Sequence, residues 1–345
     1  MLAALLVLLV TVASLPPSTW GEEPEEPSVA AESSQGWRIG NSGLWVGGYV
    51  NNVLTLPEHG PDSFTLTDVG LLLRYDVTPS ITFFNETDLE DSLSWEEGNG
   101  VVVGTRVLLL ERLYVDWQPR PDITLRLGKF LTPFGLWNVV RRAPLTWTVE
   151  APLISEGFFP EHITGAAAGF QTTLREWTID ATGYGQATDE LYRGASDTTA
   201  SSAGGGRVSA GHTFGPFYFE LGSSGIGFDN SDNNRTQYSV GGDFALTGLG
   251  NYLQGEVTYG WTTGRPDQWG LYLQDALPVP FIKNLWAVAR YEHFVPINAP
   301  QLNGAVLGVA WRPLPWLFLK VNYQVADTES DDFDRGLLAG VVIFF

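Results

Sequence analysis

Alternation of apolar and polar residues with a period of two recurs along this chain of 345 residues, and it limits the possible folds more than any other feature. In residues 69–77 one face carries Val69, Leu71 and Tyr75, whereas Arg74 and Asp76 lie on the other face. Such alternation is typical of strands with one apolar and one polar side. No stretch repeats convincingly at helical spacing, so we expect an all-β protein.

The alternating runs predict about sixteen strands, and fourteen or eighteen strands stay open. Most predicted cores are about 9–14 residues long, which is the length that a tilted strand needs to cross a bilayer. Strands of soluble proteins are most often about 5–6 residues long. The strand lengths therefore favour a membrane barrel.

Short and long connections alternate between these runs. Thr78-Pro79 and Gly215-Pro216 are short turns, whereas residues 131–163 and 187–205 form long connections. Outer-membrane barrels combine short periplasmic turns with longer external loops. The pattern predicts a transmembrane antiparallel β-barrel of sixteen strands. One connection, residues 277–283, is longer than the other short turns, so fourteen or eighteen strands stay open.

The last run also fits a barrel wall. Every second residue from Leu337 to Phe345 is apolar, and this ending resembles the closing strand of bacterial outer-membrane barrels. A membrane tolerates no open sheet edge, because unpaired backbone groups would face hydrocarbon. We therefore expect residues 333–345 to pair with the first strand, residues 44–54.

Composition agrees with a barrel. Aromatic residues reach 13%, charged residues only 17%, and there are 39 Gly. Aromatic side chains at strand ends predict a girdle at the headgroup level, although aromatics are also simply good strand residues. The girdle candidates are Trp45, Tyr75, Trp117, Trp177, Trp261, Trp269, Trp311 and Trp316.

The charge and the cysteine count exclude several classes. The chain has no Cys, so disulfides and thiolate chemistry are excluded. A net charge of -20 argues against a nucleic-acid partner, since phosphates need Lys and Arg. The acidic balance suits loops at a lipid surface rich in divalent cations, or a cation-tolerant pore. General solubility of exposed loops is an equal alternative.

The amino-terminal part predicts export. Residues 2–12 form an apolar run that fits a secretory signal, although no Lys or Arg precedes it. We expect residues 1–21 to be a signal peptide, with cleavage after Ser14 or Gly21, and residues 22–40 to be a disordered acidic linker. Residues 41–345 then form the barrel domain. The expected location is the bacterial outer membrane.

If the apolar faces meet lipid, the opposite faces line a lumen. Charges there tune ion selectivity in a water-filled pore, or form cross-strand salt bridges that hold the wall. Glu111 and Lys129 fall on apparent outward faces, which indicates a register slip or a position at the rim. The predicted lumen-lining residues are Arg74, Arg112, Asp116, Arg126, Asp243, Glu256, Arg290 and Lys320, with Asp68, Glu86 and Asp88 among their acidic neighbours.

The connection 131–163 is the longest and carries many large apolar side chains. Exposing that surface to water would be unfavourable, so we expect this loop to fold into the lumen and narrow the pore. The predicted constriction residues are Arg141, Arg142, Glu150 and Glu156. The alternative is that Arg141 and Arg142 cap the loop or pair with its own acids.

The segment Leu125-Arg126-Leu127-Gly128-Lys129-Phe130-Leu131-Thr132-Pro133-Phe134-Gly135-Leu136 resembles the strand-and-loop signature of the phosphate-selective porin (O/P type) family. The resemblance implies a sixteen-stranded trimeric barrel with an inward-folded loop. In that family phosphate selectivity rests on an arginine ladder and a lysine cluster. No such ladder is evident among the 19 Lys and Arg of this chain.

These features predict a passive diffusion channel for small hydrophilic solutes and ions, weakly cation-preferring or unselective. The alternatives are an anion- or phosphate-selective porin, a plugged structural barrel, and a hydrolase at the barrel rim, for which His293 beside Glu292 is the candidate. We expect no catalytic, metal or cofactor site. The expected partners are outer-membrane lipid and lipopolysaccharide, small solutes, and two further copies in a homotrimer.

Overall fold

The computed structural model describes residues 36–104, 108–155, 157–191, 198–231, 233–297, 300–328, 333 and 335–345. The predicted signal peptide 1–21, most of the predicted linker 22–40 and the constriction candidate Glu156 lie outside these residues. No helix among the described residues is both long enough and apolar enough to span a bilayer.

The described chain contains eighteen strands and three single-turn 3-10 helices. The strands are β1 (Trp37–Arg38), β2 (Leu44–Pro57), β3 (Ser63–Thr78), β4 (Ile81–Glu96), β5 (Gly100–Val103), β6 (Leu109–Arg120), β7 (Ile123–Leu131), β8 (His162–Leu174), β9 (Trp177–Gln186), β10 (Ala200–Phe214), β11 (Phe217–Asn230), β12 (Arg235–Gly248), β13 (Asn251–Thr262), β14 (Gln268–Pro278), β15 (Leu285–Val295), β16 (Leu302–Leu314), β17 (Leu317–Ala326) and β18 (Gly336–Phe344). The 3-10 helices are Asn138–Val140, Ala143–Leu145 and Leu153–Ser155.

Sixteen of these strands form one closed antiparallel barrel, as predicted. The two short strands β1 and β5 are extra: β1 pairs with β2, and β5 forms a hairpin with the end of β4. Closure joins β18 to β2 along nine residue pairs, from Gly336 opposite Pro57 to Phe344 opposite Tyr49. The expected pairing of the first and last barrel strands is therefore confirmed.

Several strand ends differ from the prediction. Strand β4 continues to Glu96, past the predicted end at Asp91, because Leu93 and Trp95 extend its alternation. Strand β10 begins at Ala200, inside the predicted long connection 187–205. Ladder hydrogen bonds are made by backbone groups, so a strand continues through small and polar residues that carry no alternating signal. Conversely β18 begins at Gly336, later than the predicted residue Phe333.

The outer face of the barrel is apolar. Leu127, the most exposed example on β7, is 68% exposed, and Val208 and Leu307 on other strands are similarly placed. Aromatic side chains stand near the strand ends, as a lipid-facing wall with interfacial girdles requires. The exposed girdle members are Tyr75, Trp117, Trp177, Trp261, Trp269 and Trp311.

The connection between β7 and β8, residues 132–161, folds into the barrel as expected. Its five aromatic side chains are at most 7% exposed. Trp147 packs against Tyr252, Trp286 and Phe318 on the wall, with ring centroids 4.8, 5.1 and 6.3 Å away. Burying a large apolar side chain, compared with leaving it in water, is favourable by roughly 1.5–3 kcal/mol. Packing of these side chains on the inner wall therefore stabilises the inward position of the loop. The five buried aromatic residues of the loop are Phe134, Trp137, Trp147, Phe158 and Phe159.

Candidate functional site

The inward loop is held by basic side chains of the barrel wall. Lys320 of β17 donates from Nζ to the Ala143 carbonyl at 2.8 Å, to Thr146 Oγ1 at 2.7 Å and to the Thr148 carbonyl at 3.0 Å. The loop covers this side chain, which is 2% exposed, and its predicted role in lining the lumen stays a prediction. All three protons of the ammonium group are therefore used to fix the loop backbone.

Arg290 of β15 has a similar position. Its Nη1 donates to Thr148 Oγ1 at 2.6 Å and to the Glu150 carbonyl at 2.9 Å, and its Nε donates to Glu292 Oε1 at 2.7 Å. Glu292 also accepts a hydrogen bond from the Leu153 backbone N–H at 2.7 Å. This buried ion pair therefore holds the second half of the loop against β15.

Two further acids that were predicted to line the lumen lie on β12 and β13. Glu256 accepts hydrogen bonds from the Trp137 backbone N–H at 2.7 Å and from the Tyr272 hydroxyl at 2.6 Å. Asp243 pairs with Arg207, which also lies 3.2 Å from Glu220. Glu256 thus anchors the loop, whereas Asp243 belongs to an ion-pair network within the wall.

Glu86 of β4 connects the loop to the opposite side of the barrel. Its carboxylate accepts from Arg142 Nε at 2.7 Å and from Arg142 Nη2 at 3.1 Å, and it also accepts from Arg112 Nε on β6. Arg141 turns back into the loop, where its Nε lies 2.8 Å from Glu161 Oε1. Of the two predicted constriction arginines, Arg142 thus binds the wall, and Arg141 pairs with an acid of the loop itself.

Glu150, the third constriction candidate within the described residues, accepts a hydrogen bond from Gln324 Nε2 at 2.9 Å. Its side chain therefore lies beside β17. The constriction role of all four candidates stays a prediction.

The other predicted lumen-lining charges are not covered by the loop and stay partly exposed. Arg74 pairs with Asp76 at 2.9 Å on β3, and Arg126 of β7 pairs with Asp116 of β6 at 2.7 Å. These four side chains are 20–33% exposed. The loop anchors on β13–β17 are nearly fully buried. These side chains on β3, β6 and β7 therefore keep partial access to solvent, whereas the loop anchors on β13–β17 do not.

A cavity of about 210 Å³ lies between the loop and strands β3, β4 and β6. Arg112, Arg141 and Arg142 line it together with six carboxyl groups, twice the number of guanidinium groups. Such an excess attracts cations and repels anions. The six acidic lining residues are Asp68, Glu86, Asp88, Glu90, Glu111 and Glu161.

Sequence reasoning missed a charged cluster at the base of the loop. His162 Nε2 lies 3.0 Å from Glu111 Oε2, and His162 Nδ1 lies 3.6 Å from Glu190 Oε1, which also binds Lys129 Nζ at 2.8 Å. Ligand atoms of Glu111, Glu161 and His162 lie within 4.8 Å of one another, a spacing that a metal ion could use. Lys129 supplies a positive charge to the same cluster.

A register irregularity explains why the cluster was missed. Glu86 opposes Arg112 and Thr87 opposes Leu110, so Glu111 has no direct partner on β4. The slip that was considered for Glu111 is thus present. The only local signal was Glu161 directly before His162 at the start of β8, and the spacing of His residues could not reveal partners from other strands.

The two residues of the candidate hydrolase site, Glu292 and His293, point to opposite faces of β15. Glu292 faces the lumen and binds the loop, whereas the next residue, His293, contacts Asn303 Oδ1 at 2.8 Å, and its ring centroid lies 4.7 Å from that of Trp269. Adjacent residues of a strand point to opposite faces. These two side chains therefore do not form an acid–base pair.

The barrel is similar to solved structures of outer-membrane proteins. OmpT of Vibrio cholerae, folded in vitro and in its trimer form, has a TM-score of 0.53 and 11% identity, with 88% of this chain and 99% of that chain covered. The outer membrane channel DcaP of Acinetobacter baumannii has a TM-score of 0.56 and 11% identity over 90% and 99%. An anion-selective porin from Comamonas acidovorans has a TM-score of 0.55 and 13% identity over 88% and 98%.

No protein-family model matches the sequence, and no curated protein matches it. The resemblance of residues 125–136 to the phosphate-selective porins therefore stays an expectation. Identities of 11–13% bear on the fold alone. The chain shares the barrel fold of outer-membrane porins.

Proposed function

We propose that the protein is a diffusion channel of the bacterial outer membrane that passes small hydrophilic solutes and ions and prefers cations. The observation that carries this proposal is that the loop lies inside the barrel while part of the charged inner wall keeps access to solvent. The anchors of the loop lie mainly on β13–β17, and charged side chains on β3, β6 and β7 keep access to solvent. A loop in this position narrows a lumen without lining every part of its wall.

The location follows from the chemistry of the two faces. Apolar side chains with aromatic rims cover the outside, and ion pairs line the inside, as in barrels that cross the outer membrane. Lipid and lipopolysaccharide are the partners that such an outer face would contact. We also propose a homotrimer, because the OmpT structure with the same fold is described in a trimer form.

Cation preference is supported by the cavity beside the loop. Its six carboxyl groups outnumber its three guanidinium groups, and Arg290 and Lys320, the basic residues opposite, are engaged with the loop. Fold alone does not decide selectivity, so the anion-selective description of the Comamonas acidovorans porin, which shares the fold, does not transfer to this chain.

Reversal potential in a planar bilayer tests the proposal. Under a salt gradient we expect steady conductance and a reversal potential displaced toward the equilibrium potential of the cation, because the cavity carries excess negative charge. Strong anion selectivity would contradict the cation preference and favour the phosphate-type alternative. Absence of any conductance in a correctly folded preparation would contradict the channel itself.

A further inference from the structure

The acidic cavity beside the loop contains a carboxylate that lacks a full set of partners. Asp88 of β4 is 4% exposed, and its Oδ2 accepts a hydrogen bond from the Tyr49 hydroxyl at 2.8 Å. Its Oδ1 is buried and accepts no hydrogen bond from any residue that the structure describes. A buried carboxylate oxygen without a donor is unfavourable by several kcal/mol in the ionised state. The site is therefore suited to a group that brings a proton donor or a positive charge.

The arginines that line the same cavity already have acidic partners. Arg112 and Arg142 both bind Glu86, and Arg141 binds Glu161. Asp68, on the adjacent strand β3, receives a hydrogen bond from the neutral amide of Asn51 at 2.9 Å, which adds no positive charge. Asp68 and Asp88 therefore form the acidic side of the cavity, and the guanidinium groups are directed to other carboxylates.

We propose that this cavity is a binding subsite for a small organic cation carrying a primary ammonium or guanidinium group. The group donates N–H hydrogen bonds to Asp88 Oδ1, and Asp68 supplies a second negative charge. Charge-assisted hydrogen bonds of this kind are short and strong. The inference rests on the proposed channel, in which the subsite would concentrate cationic solutes beside the inward loop.

Volume and ligand spacing favour an organic cation over a metal ion. A water molecule takes up about 30 Å³ of liquid, so the cavity of about 210 Å³ accepts an ammonium or guanidinium group together with water. Among the described residues, His and carboxylate ligand atoms come within 4.8 Å of one another in groups of three only at Glu111, Glu161 and His162. Asp68 and Asp88 are not part of such a group, so they do not form a chelate for a metal.

Titration calorimetry with spermidine on the detergent-solubilised full-length protein tests the subsite. We expect saturable binding to the wild type, and an increase of about tenfold in the dissociation constant for Asp88→Asn, because one charge-assisted hydrogen bond is lost. Asp68→Asn should weaken binding in the same direction. Asp229→Asn, which removes an exposed acid on β11 far along the chain from the cavity, is the matched control and should leave the constant unchanged.

Heat-modifiable migration on gels reports whether each variant is folded, and Asp68→Asn keeps the test decisive if Asp88→Asn does not fold. Equal spermidine binding by the wild type and both folded cavity variants would overturn the subsite. Tighter binding of calcium than of spermidine, lost in Asp88→Asn, would also overturn it in favour of a metal site. Calorimetry needs no ion flow, so binding without conductance would refute the channel and leave the subsite supported.

Discussion

At the scale of single residues, Glu86 illustrates how the wall and the loop are joined. One buried carboxylate of β4 binds Arg112 from the neighbouring strand and Arg142 from the loop. Both guanidinium groups also lie over the Phe84 ring, 5.4 Å from its centroid. A buried ion pair adds little net stability compared with apolar packing, but removal of one partner leaves an uncompensated charge.

Replacing Glu86 with Gln should therefore destabilise the protein. We expect a loss of about 3–5 kcal/mol in the free energy of unfolding, because two buried guanidinium groups lose their counter-charge. Urea-dependent unfolding in lipid vesicles, followed by Trp fluorescence, measures the change. Asp122→Asn is the control, since it breaks the exposed pair with Arg120 and should change stability by at most about 1 kcal/mol. Equal losses of unfolding free energy in both variants would contradict a stabilising role for the contacts of Glu86 with Arg112 and Arg142.

At the scale of elements, the loop of residues 132–161 folds inward for two physical reasons. Its aromatic side chains are buried against the wall, as Trp147 is by Trp286 and Phe318. Its backbone carbonyls, which would otherwise be buried without donors, accept hydrogen bonds from Lys320 and Arg290. Satisfied backbone groups are a condition for burying irregular chain. The loop is thus a fixed part of the lumen.

Deleting residues 141–160 should raise single-channel conductance severalfold, because the passage beside the loop would widen. Planar-bilayer recording gives the measurement, and the intact protein should already conduct. Replacing residues 263–267, between β13 and β14, with a short Gly–Ser turn is the control and should leave conductance unchanged. A channel that opens only after the first deletion would identify the barrel as plugged.

At the scale of the whole molecule, closure of the sheet governs the architecture. Strand β18 pairs with β2 in a single register, with Leu338 opposite Thr55 and Ile343 opposite Val50. Directly opposed residues of antiparallel strands have Cα atoms about 4.5–5.5 Å apart. This separation falls in the range that a disulfide bridges.

A pair of introduced cysteines can test this register, since the natural chain has none. Thr55→Cys with Leu338→Cys should form a disulfide after oxidation, seen as a shift on non-reducing gels. Val50→Cys with Leu338→Cys is the control, because the five-residue offset places those sites about 17 Å apart along the strands. Cross-linking of the second pair instead of the first would refute the register.

Most of the fold could be predicted from the sequence, because side-chain alternation reports directly which face of each strand is apolar. Alternation indicated sixteen strands and the closing pair. It failed at the start of β10, where small residues carry no pattern, and at Glu111, where the register slips opposite Thr87. At such places backbone pairing continues or changes register, and the side-chain sequence carries no signal of it.

The candidate site was less predictable. The sequence indicated that Arg112, Arg290 and Lys320 point inward, and it indicated an inward loop. It could not show that Arg290 and Lys320 hold loop carbonyls, or that Arg142 and Arg112 share Glu86. Those contacts join residues that are distant along the chain. The sequence pattern is also the same for a charged residue in an ion pair of the wall and for one that faces water.

The amino-acid sequence by itself determined the all-β class, the approximate strand number, the apolar outside and the inward course of the long loop, because these follow from local periodicity and from the cost of exposing apolar surface. Only the tertiary structure decided which strands anchor the loop, which acids lie beside the cavity, and that Glu111, His162 and Glu190 meet. These properties depend on closure of the barrel, which brings strands from the whole chain around one interior.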